Sequence, residues 1–190
     1  MSNIWSVFQV STALSYISSK SESNMESSLY QTLETYNSEN IIKASVLASV
    51  WLSYQNKSMT FDEVLTEAGN YFQEYTGLED SNKYPIVVEI KPSGGPACES
   101  LFTLYRRLPG NQQSNMKNNN ASNVFISEWP KFPVYVKHLN VESIQQDEFI
   151  ARTAEFSEQL INMNVNFSSD PYYWIIYNEG GDAEIWIKAD

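Results

Sequence analysis

The sequence predicts an α+β fold: a distorted antiparallel β-barrel of two pseudo-repeats, with two flanking amphipathic helices. The first observation behind this is that one plan is written twice, about 83 residues apart: strand, capped helix, strand, Gly-Gly turn, strand. The second is that both helices open on an S/T-x-x-E/Q box, Thr60-Phe61-Asp62-Glu63 and Ser143-Ile144-Gln145-Gln146. In such a box, hydroxyl and third side chain satisfy orphan backbone donors reciprocally. The third is the pair of Gly-Gly turns, Gly94-Gly95 and Gly180-Gly181, at matching distances downstream. Tandem duplication of this kind favours a single pseudo-symmetric domain over two unrelated modules.

The elements follow in order. Residues 1–28 end in a Ser/Glu-rich stretch, Ser18–Ser28, without hydrophobic periodicity, and are expected to form a mobile arm. The domain is expected over residues 29–190, opening at Leu29-Tyr30-Gln31-Thr32-Leu33. Ile41 to Tyr54 is apolar and β-branched enough for one long strand. A helix over Phe61–Tyr75 places Phe61, Val64, Leu65, Ala68, Phe72 and Tyr75 on one stripe, with Gly77 as its stop. Ile86–Ile90 and Leu101–Leu108 read as strands, followed by a polar loop over Gly110–Asn123. Val124–Ile126 and Val134–Leu139 form the next pair, interrupted by Pro130 and Pro133. A second helix, Ile144 to Asn162, is expected to bury Phe149, Thr153, Phe156 and Leu160, with Ile150 and Ile161 beside them. Pro171–Tyr177 and Ala183–Lys188 close the chain as a hairpin; Ala183, Ile185 and Ile187 share one face of its last strand, Glu184, Trp186 and Lys188 the other.

Composition narrows the function classes. A chain of 190 residues buries roughly 70% of its unfolded surface, so it can hold a full core. Twelve basic residues against 23 acidic ones give a net charge of −11, which argues against nucleic acid or an anionic membrane as partner. One cysteine, Cys98, excludes an internal disulfide, and one histidine, His138, leaves a zinc site dependent on carboxylates. No apolar run approaches the roughly 20 residues of a membrane span. Ile4–Ile17 lacks a basic flank, so no cleaved signal peptide is expected and the cytoplasm is the expected compartment, with secretion as the alternative. No nucleophile elbow, phosphate loop or dinucleotide fingerprint occurs, and no catalysis is expected.

Several segments together resemble the SOUL/haem-binding protein family. They are Tyr30-Gln31-Thr32-Leu33-Glu34, the helix opening Phe61-Asp62-Glu63-Val64-Leu65-Thr66-Glu67-Ala68, Pro85, and Gly95-Pro96-Ala97-Cys98-Glu99-Ser100. Val124-Phe125-Ile126, Val134-Tyr135-Val136-Lys137, and the closing run Tyr172-Tyr173 to Tyr177-Asn178 and Glu184-Ile185-Trp186-Ile187-Lys188 continue the likeness. The resemblance implies a barrel of two repeats with a helix on each side, and a non-catalytic carrier that binds haem or another tetrapyrrole non-covalently by apolar contact. It implies a ligand platform beside the first helix and near the last hairpin: Leu65, Thr66, Gly69, Asn70, Phe72, Gln73 and Asn178. The family often has a basic residue where this chain has Thr66 and a methionine where it has Gly69, and no histidine lies between Ile41 and Phe61. No axial iron ligand is therefore expected. The alternative reading is a SOUL domain that has lost haem and acts through a protein partner.

Overall fold

The computed structural model describes residues 28–36, 40–76, 85–93, 99–108, 123–140, 145–178 and 181–190. The expected arm (except Ser28), the Gly110–Asn123 loop (except Asn123), Gly94-Gly95, Cys98 and the Ser143 cap lie outside these residues. Nine strands and two helices follow in chain order: β1 (Tyr30–Tyr36), β2 (Ile41–Val46), β3 (Ser49–Ser58), α1 (Phe61–Thr76), β4 (Ile86–Lys91) and β5 (Ser100–Arg107). Then come β6 (Val124–Trp129), β7 (Phe132–Asn140), α2 (Gln146–Asn162), β8 (Phe167–Ile176) and β9 (Asp182–Ala189).

All nine strands form one antiparallel sheet in the order β1-β2-β7-β9-β8-β4-β5-β3-β6. This order has a two-fold pseudo-symmetry. Exchanging β2, β3, β4 and β5 for β6, β7, β8 and β9 reproduces the eight-strand order from β2 to β6 read backwards. The pseudo-axis passes between the central pair β4 and β8, where Val88 faces Trp174. The first strand of each repeat crosses over to the other half: β2 pairs β7, and β6 pairs β3.

Expected as one strand, Ile41–Tyr54 is two, split at Leu47-Ala48 because its ends belong to opposite flanks of the sheet. The register survives the bend. Val46 faces Phe132 and, three residues on along one strand and three back along the other, Ser49 faces Trp129. The two-residue link between the second and eighth positions of the order forces the sheet to curl until these meet, since so short a link spans only about 10 Å. Pro130 marks the corresponding bend between β6 and β7. Pro133, expected to interrupt a strand, instead lies inside β7 at its second residue, opposite Ser45, near a strand start where a missing donor is tolerated.

The core has two layers. Outside the curl, both helices lie on the same face of the sheet and share one cluster. Phe61, Val64, Ala68 and Phe72 of α1 join Phe149, Phe156 and Leu160 of α2 over Leu52, Val88, Leu104, Trp174 and Ile185. Trp174, on the axis, meets both helices: its ring lies 5.9 Å edge-on from Phe61 and 5.0 Å from Phe149. Its indole N–H donates to Thr153 Oγ1 at 3.0 Å, and that hydroxyl donates to the Phe149 carbonyl at 2.7 Å. Phe61, Val64, Ala68 and Phe72 of α1 and Phe149, Thr153, Phe156 and Leu160 of α2 are buried as the sequence predicts, Leu65 is half-buried, and Ile150 and Ile161 point to solvent, 46% and 64% exposed. With 3.6 residues per turn, these two fall about 100° away from Phe149 and Leu160, which sit in the shared core cluster.

The caps also differ from expectation. Glu63 accepts from the Ser58 hydroxyl at 2.6 Å, and Ser58 Oγ in turn accepts the Thr60 N–H at 3.1 Å. Ser58, the last residue of β3, thus stands between Glu63 and the Thr60 N–H, where the box would have Glu63 accept that N–H directly. At α2 the N-cap is Gln145, in extended conformation and without a side-chain cap bond.

The opposite, helix-free face is the inside of the curl. Tyr173 of β8 and Trp129 of β6 stand four strands apart in the order, roughly 19 Å on a flat sheet, yet their rings are 5.5 Å apart. Trp51, Tyr105, Trp129, Tyr173 and Trp186 fill this interior with Val46, Val87, Val134, Val136 and Ile175.

Candidate functional site

Inside the curl one charged group stands out. Glu184 lies in β9, a strand buried along most of its length, and is itself only 6% exposed. Its parity places it with Trp186 and Lys188 on the inner face, while Ala183, Ile185 and Ile187 turn to the helices. Its carboxylate accepts three hydrogen bonds: Tyr30 O–H on Oε1 at 3.0 Å, and Tyr177 O–H and Trp186 Nε1–H on Oε2, both at 2.9 Å. An acceptor-only pattern of this kind suits the ionised form. All three donors are neutral.

The donors come from distant parts of the chain. Tyr30 belongs to β1, three strands from β9 in the order, and reaches Glu184 only because β1 is carried inward by the curl. Tyr177 stands where β8 turns toward β9. That turn is closed by Tyr177 N–H to Asp182 O at 2.9 Å and by Asp182 N–H to Asn178 Oδ1 at 3.3 Å, with Gly181 at φ 85°, where a side chain would be strained. Burial, then the Glu184 charge, push both phenols far above their ordinary pKa. His138, half exposed, stands at the mouth: Nε2 is 3.4 Å from Asp182 Oδ1, and Nδ1 is 3.9 Å from Glu184 Oε1.

A second acid lines the same interior. Glu89 of β4 accepts the Tyr105 hydroxyl at 2.9 Å and lies 3.3 Å from Lys91. Burial, with the Glu89 charge second, raises the pKa of Tyr105 and of Tyr173 well above the usual phenol value. Between the acids stands an aromatic box. Trp129 meets Trp51 at 5.2 Å, Tyr105 at 4.7 Å and Phe132 at 5.5 Å. Lys188 places its ammonium 5.3 Å from the Phe132 ring centre and 5.8 Å from that of Tyr173. This interior therefore already holds one cation on aromatic faces. Trp51 Nε1, fully buried here, finds no acceptor among the described residues.

The platform implied by the family resemblance lies elsewhere. Thr66, Gly69, Asn70 and Gln73 share the solvent side of α1, Leu65 is half-buried at its edge, and Phe72 points into the core. Thr66 Oγ1 bonds back to the Asp62 carbonyl at 2.9 Å, and a Cβ at Gly69 would meet nothing within 4 Å. Asn178 is in the β8–β9 turn and closes it. Among the described residues, clefts of about 330 Å³ open at Lys137–Asn140 with α2 and at Ala48–Val50 with Trp129, and no α1 residue lines either. Among the described residues no three His, Cys, Asp or Glu side chains converge as a metal site requires, and no helix is long and apolar enough to cross a membrane.

Sequence reasoning placed Glu184 with Trp186 and Lys188 on one face but did not single it out. The available signal was a glutamate inside an otherwise apolar strand, where an acid is rarely buried without partners. Tyr30, 154 residues away, carried no such signal.

No protein-family model matches the sequence, and no curated protein matches it at a significant level. Among solved structures, SAV2435 bound to tetraphenylphosphonium is similar at 8% identity and TM-score 0.45, covering 78% of this chain and 92% of that one. A candidate bacterial transcription regulation protein from Staphylococcus aureus MU50 is similar at 7% identity and TM-score 0.45, covering 78% and 96%. Both likenesses are too distant to bear on ligand or activity.

Proposed function

We propose that this protein is a non-catalytic binding module for a small aromatic organic cation, seated at the His138 edge of the curled sheet, beside Glu184. One observation carries the reading: a buried carboxylate whose three hydrogen-bond donors among the described residues, Tyr30, Tyr177 and Trp186, are all neutral and wall it in. An unneutralised charge in such surroundings is costly, and a cation that also stacks on the rings would recover part of that cost. The nearest basic group, His138, is at the solvent edge. A net charge of −11 adds attraction for cations at long range. Entry would go past His138 and Tyr30, since β1 is mostly exposed and pairs only with β2 among the described strands.

The test is titration with benzyltrimethylammonium, followed by tryptophan fluorescence, with benzyl alcohol as the neutral control. Saturable quenching by the cation is expected, weakened about tenfold or more in Glu184→Gln, which keeps the shape and removes the charge. Equal affinity in wild type and Glu184→Gln would overturn this reading.

A second reading, a tetrapyrrole lying on the solvent face of α1, rests on the open surface at Gly69. The residues present fit haem poorly. This helix carries Asp62, Glu63, Glu67 and Glu74 and no basic residue to meet propionates, and the chain's one histidine is on β7 against Asp182 and Glu184. Hemin titration decides it: a saturable Soret change lost on Gly69→Glu supports this reading, and its absence at tens of micromolar (the affinity class that apolar ring burial sustains) removes it.

A further inference from the structure

On the outer side of the sheet, a cleft of about 330 Å³ opens between β7 and α2. Its polar rim is Lys137 and Asn140 from the strand and Arg152, Glu155 and Gln159 from the helix, over Phe156. The spacing 152, 156, 159 puts Arg152, Phe156 and Gln159 in one line along α2, facing β7. Lys137 Nζ donates to Gln159 Oε1 at 2.8 Å, which fixes the lysine at one end of that line. Arg152 stands two turns away, about 10 Å along the axis, at the other end. His138 also borders this cleft, while its ring nitrogens reach Asp182 and Glu184 on the inner side.

We propose that this cleft binds an elongated organic dicarboxylate, one carboxylate on Lys137, the other on Arg152, with its apolar body over Phe156. The two cations stand at the ends and not together, so a monocarboxylate engages only one. Arg152 already contacts Glu155 at 3.1 Å and Glu148 at 3.7 Å, but these are solvent-exposed pairs of little strength, which an incoming carboxylate can replace with a bidentate contact. Glu148 and Glu155 lie inside the screening distance and must be displaced from Arg152, whereas charge beyond about 8 Å in this chain of net −11 is screened at cellular salt. The charged groups it uses, Lys137 and Arg152, are not those of the cation site on the inner face.

The experiment is an amide-resolved NMR titration of the whole chain with suberate, and with octanoate as the single-carboxylate comparison. Saturable shifts confined to Lys137–Asn140 and Arg152–Gln159 are expected, with suberate about tenfold tighter than octanoate. Lys137→Gln and Arg152→Gln, both away from the core, should each reduce suberate to the octanoate level. Glu184→Gln should leave suberate unaffected. Equal affinities for the two acids, unchanged suberate binding in either variant, or shifts that never saturate would each overturn the proposal.

Discussion

Gln146 and Phe61 join the two repeats at their helix starts. The Gln146 side-chain oxygen accepts the Phe61 N–H at 2.5 Å, while its amide donates to the Met59 carbonyl at 3.4 Å. The first residue of α2 thus caps α1, a bond across 85 residues of chain that no local capping rule foresees. Gln146 was predicted as the closing glutamine of its own helix's box. Its amide is used in the other repeat instead, because the pseudo-axis brings the two N-termini together.

Gln146→Ala is therefore expected to destabilise the fold by about 1 kcal/mol, the usual worth of a helix cap. Urea denaturation would register this as a lower midpoint at unchanged slope. Faster hydrogen exchange confined to the first turn of α1 would locate the loss there. Exchange changes in α2 alone would contradict the trans cap.

Thr153→Val should cost more than its size suggests. The change is nearly isosteric but leaves the Trp174 indole N–H without its acceptor inside the core. A buried donor left unpaired costs about 1–3 kcal/mol. Thermal unfolding and the near-ultraviolet dichroism of Trp174 would both report it, and a neutral effect would mean that another acceptor is within reach.

Adjacent residues on α2 should give opposite results. Leu160 is fully buried and Ile161 is 64% exposed. Leu160→Ala should lose about 2–5 kcal/mol, while Ile161→Lys should fall within about 0.5 kcal/mol of wild type. Comparable losses at both positions would show that the outer face of α2 is covered.

Alkaline pH should unfold the protein as its phenols ionise. Burial, the largest cause in each case, raises Tyr36, Tyr54 and Tyr172 to about 12, and pushes Tyr30, Tyr105, Tyr173 and Tyr177 higher still. Folded values above the unfolded value of 10.0 mean that the native state holds these protons more tightly. Their stabilisation is complete below pH 10 and is lost as pH rises through 12. Absorbance at 295 nm should show most of these seven tyrosines ionising together with the loss of structure. Independent ionisation near pH 10 in a still-folded chain would refute this.

Glu67 works in the acid direction. Its carboxylate accepts from Tyr54 at 2.6 Å and from Asn56 at 2.8 Å, and these bonds, the tyrosine's first, hold its pKa below the usual carboxylate value. The sign is the reverse of the tyrosines: the contribution is present above the unfolded pKa and fades as pH falls through the lowered one. Tyr54→Phe should return the Glu67 pKa toward its ordinary value, measurable by carboxyl-carbon NMR.

What the sequence settled by itself is the local and periodic part. Helix stripes such as Phe61, Val64, Ala68 and Phe72 must face a core, because only one side of a 3.6-residue period is apolar. The repeated plan was readable because two copies of one pattern stand in the sequence, and the strand order reads alike in both directions. Tertiary structure decided everything that depends on where the copies meet. It sent β2 and β3 to opposite flanks, carried Tyr30 onto Glu184, gave Gln146 to the other helix and left Ile161 in water. None of these is a property of a segment. Each follows from the curl of the sheet, which brings together residues whose sequence separation carries no record of the contact.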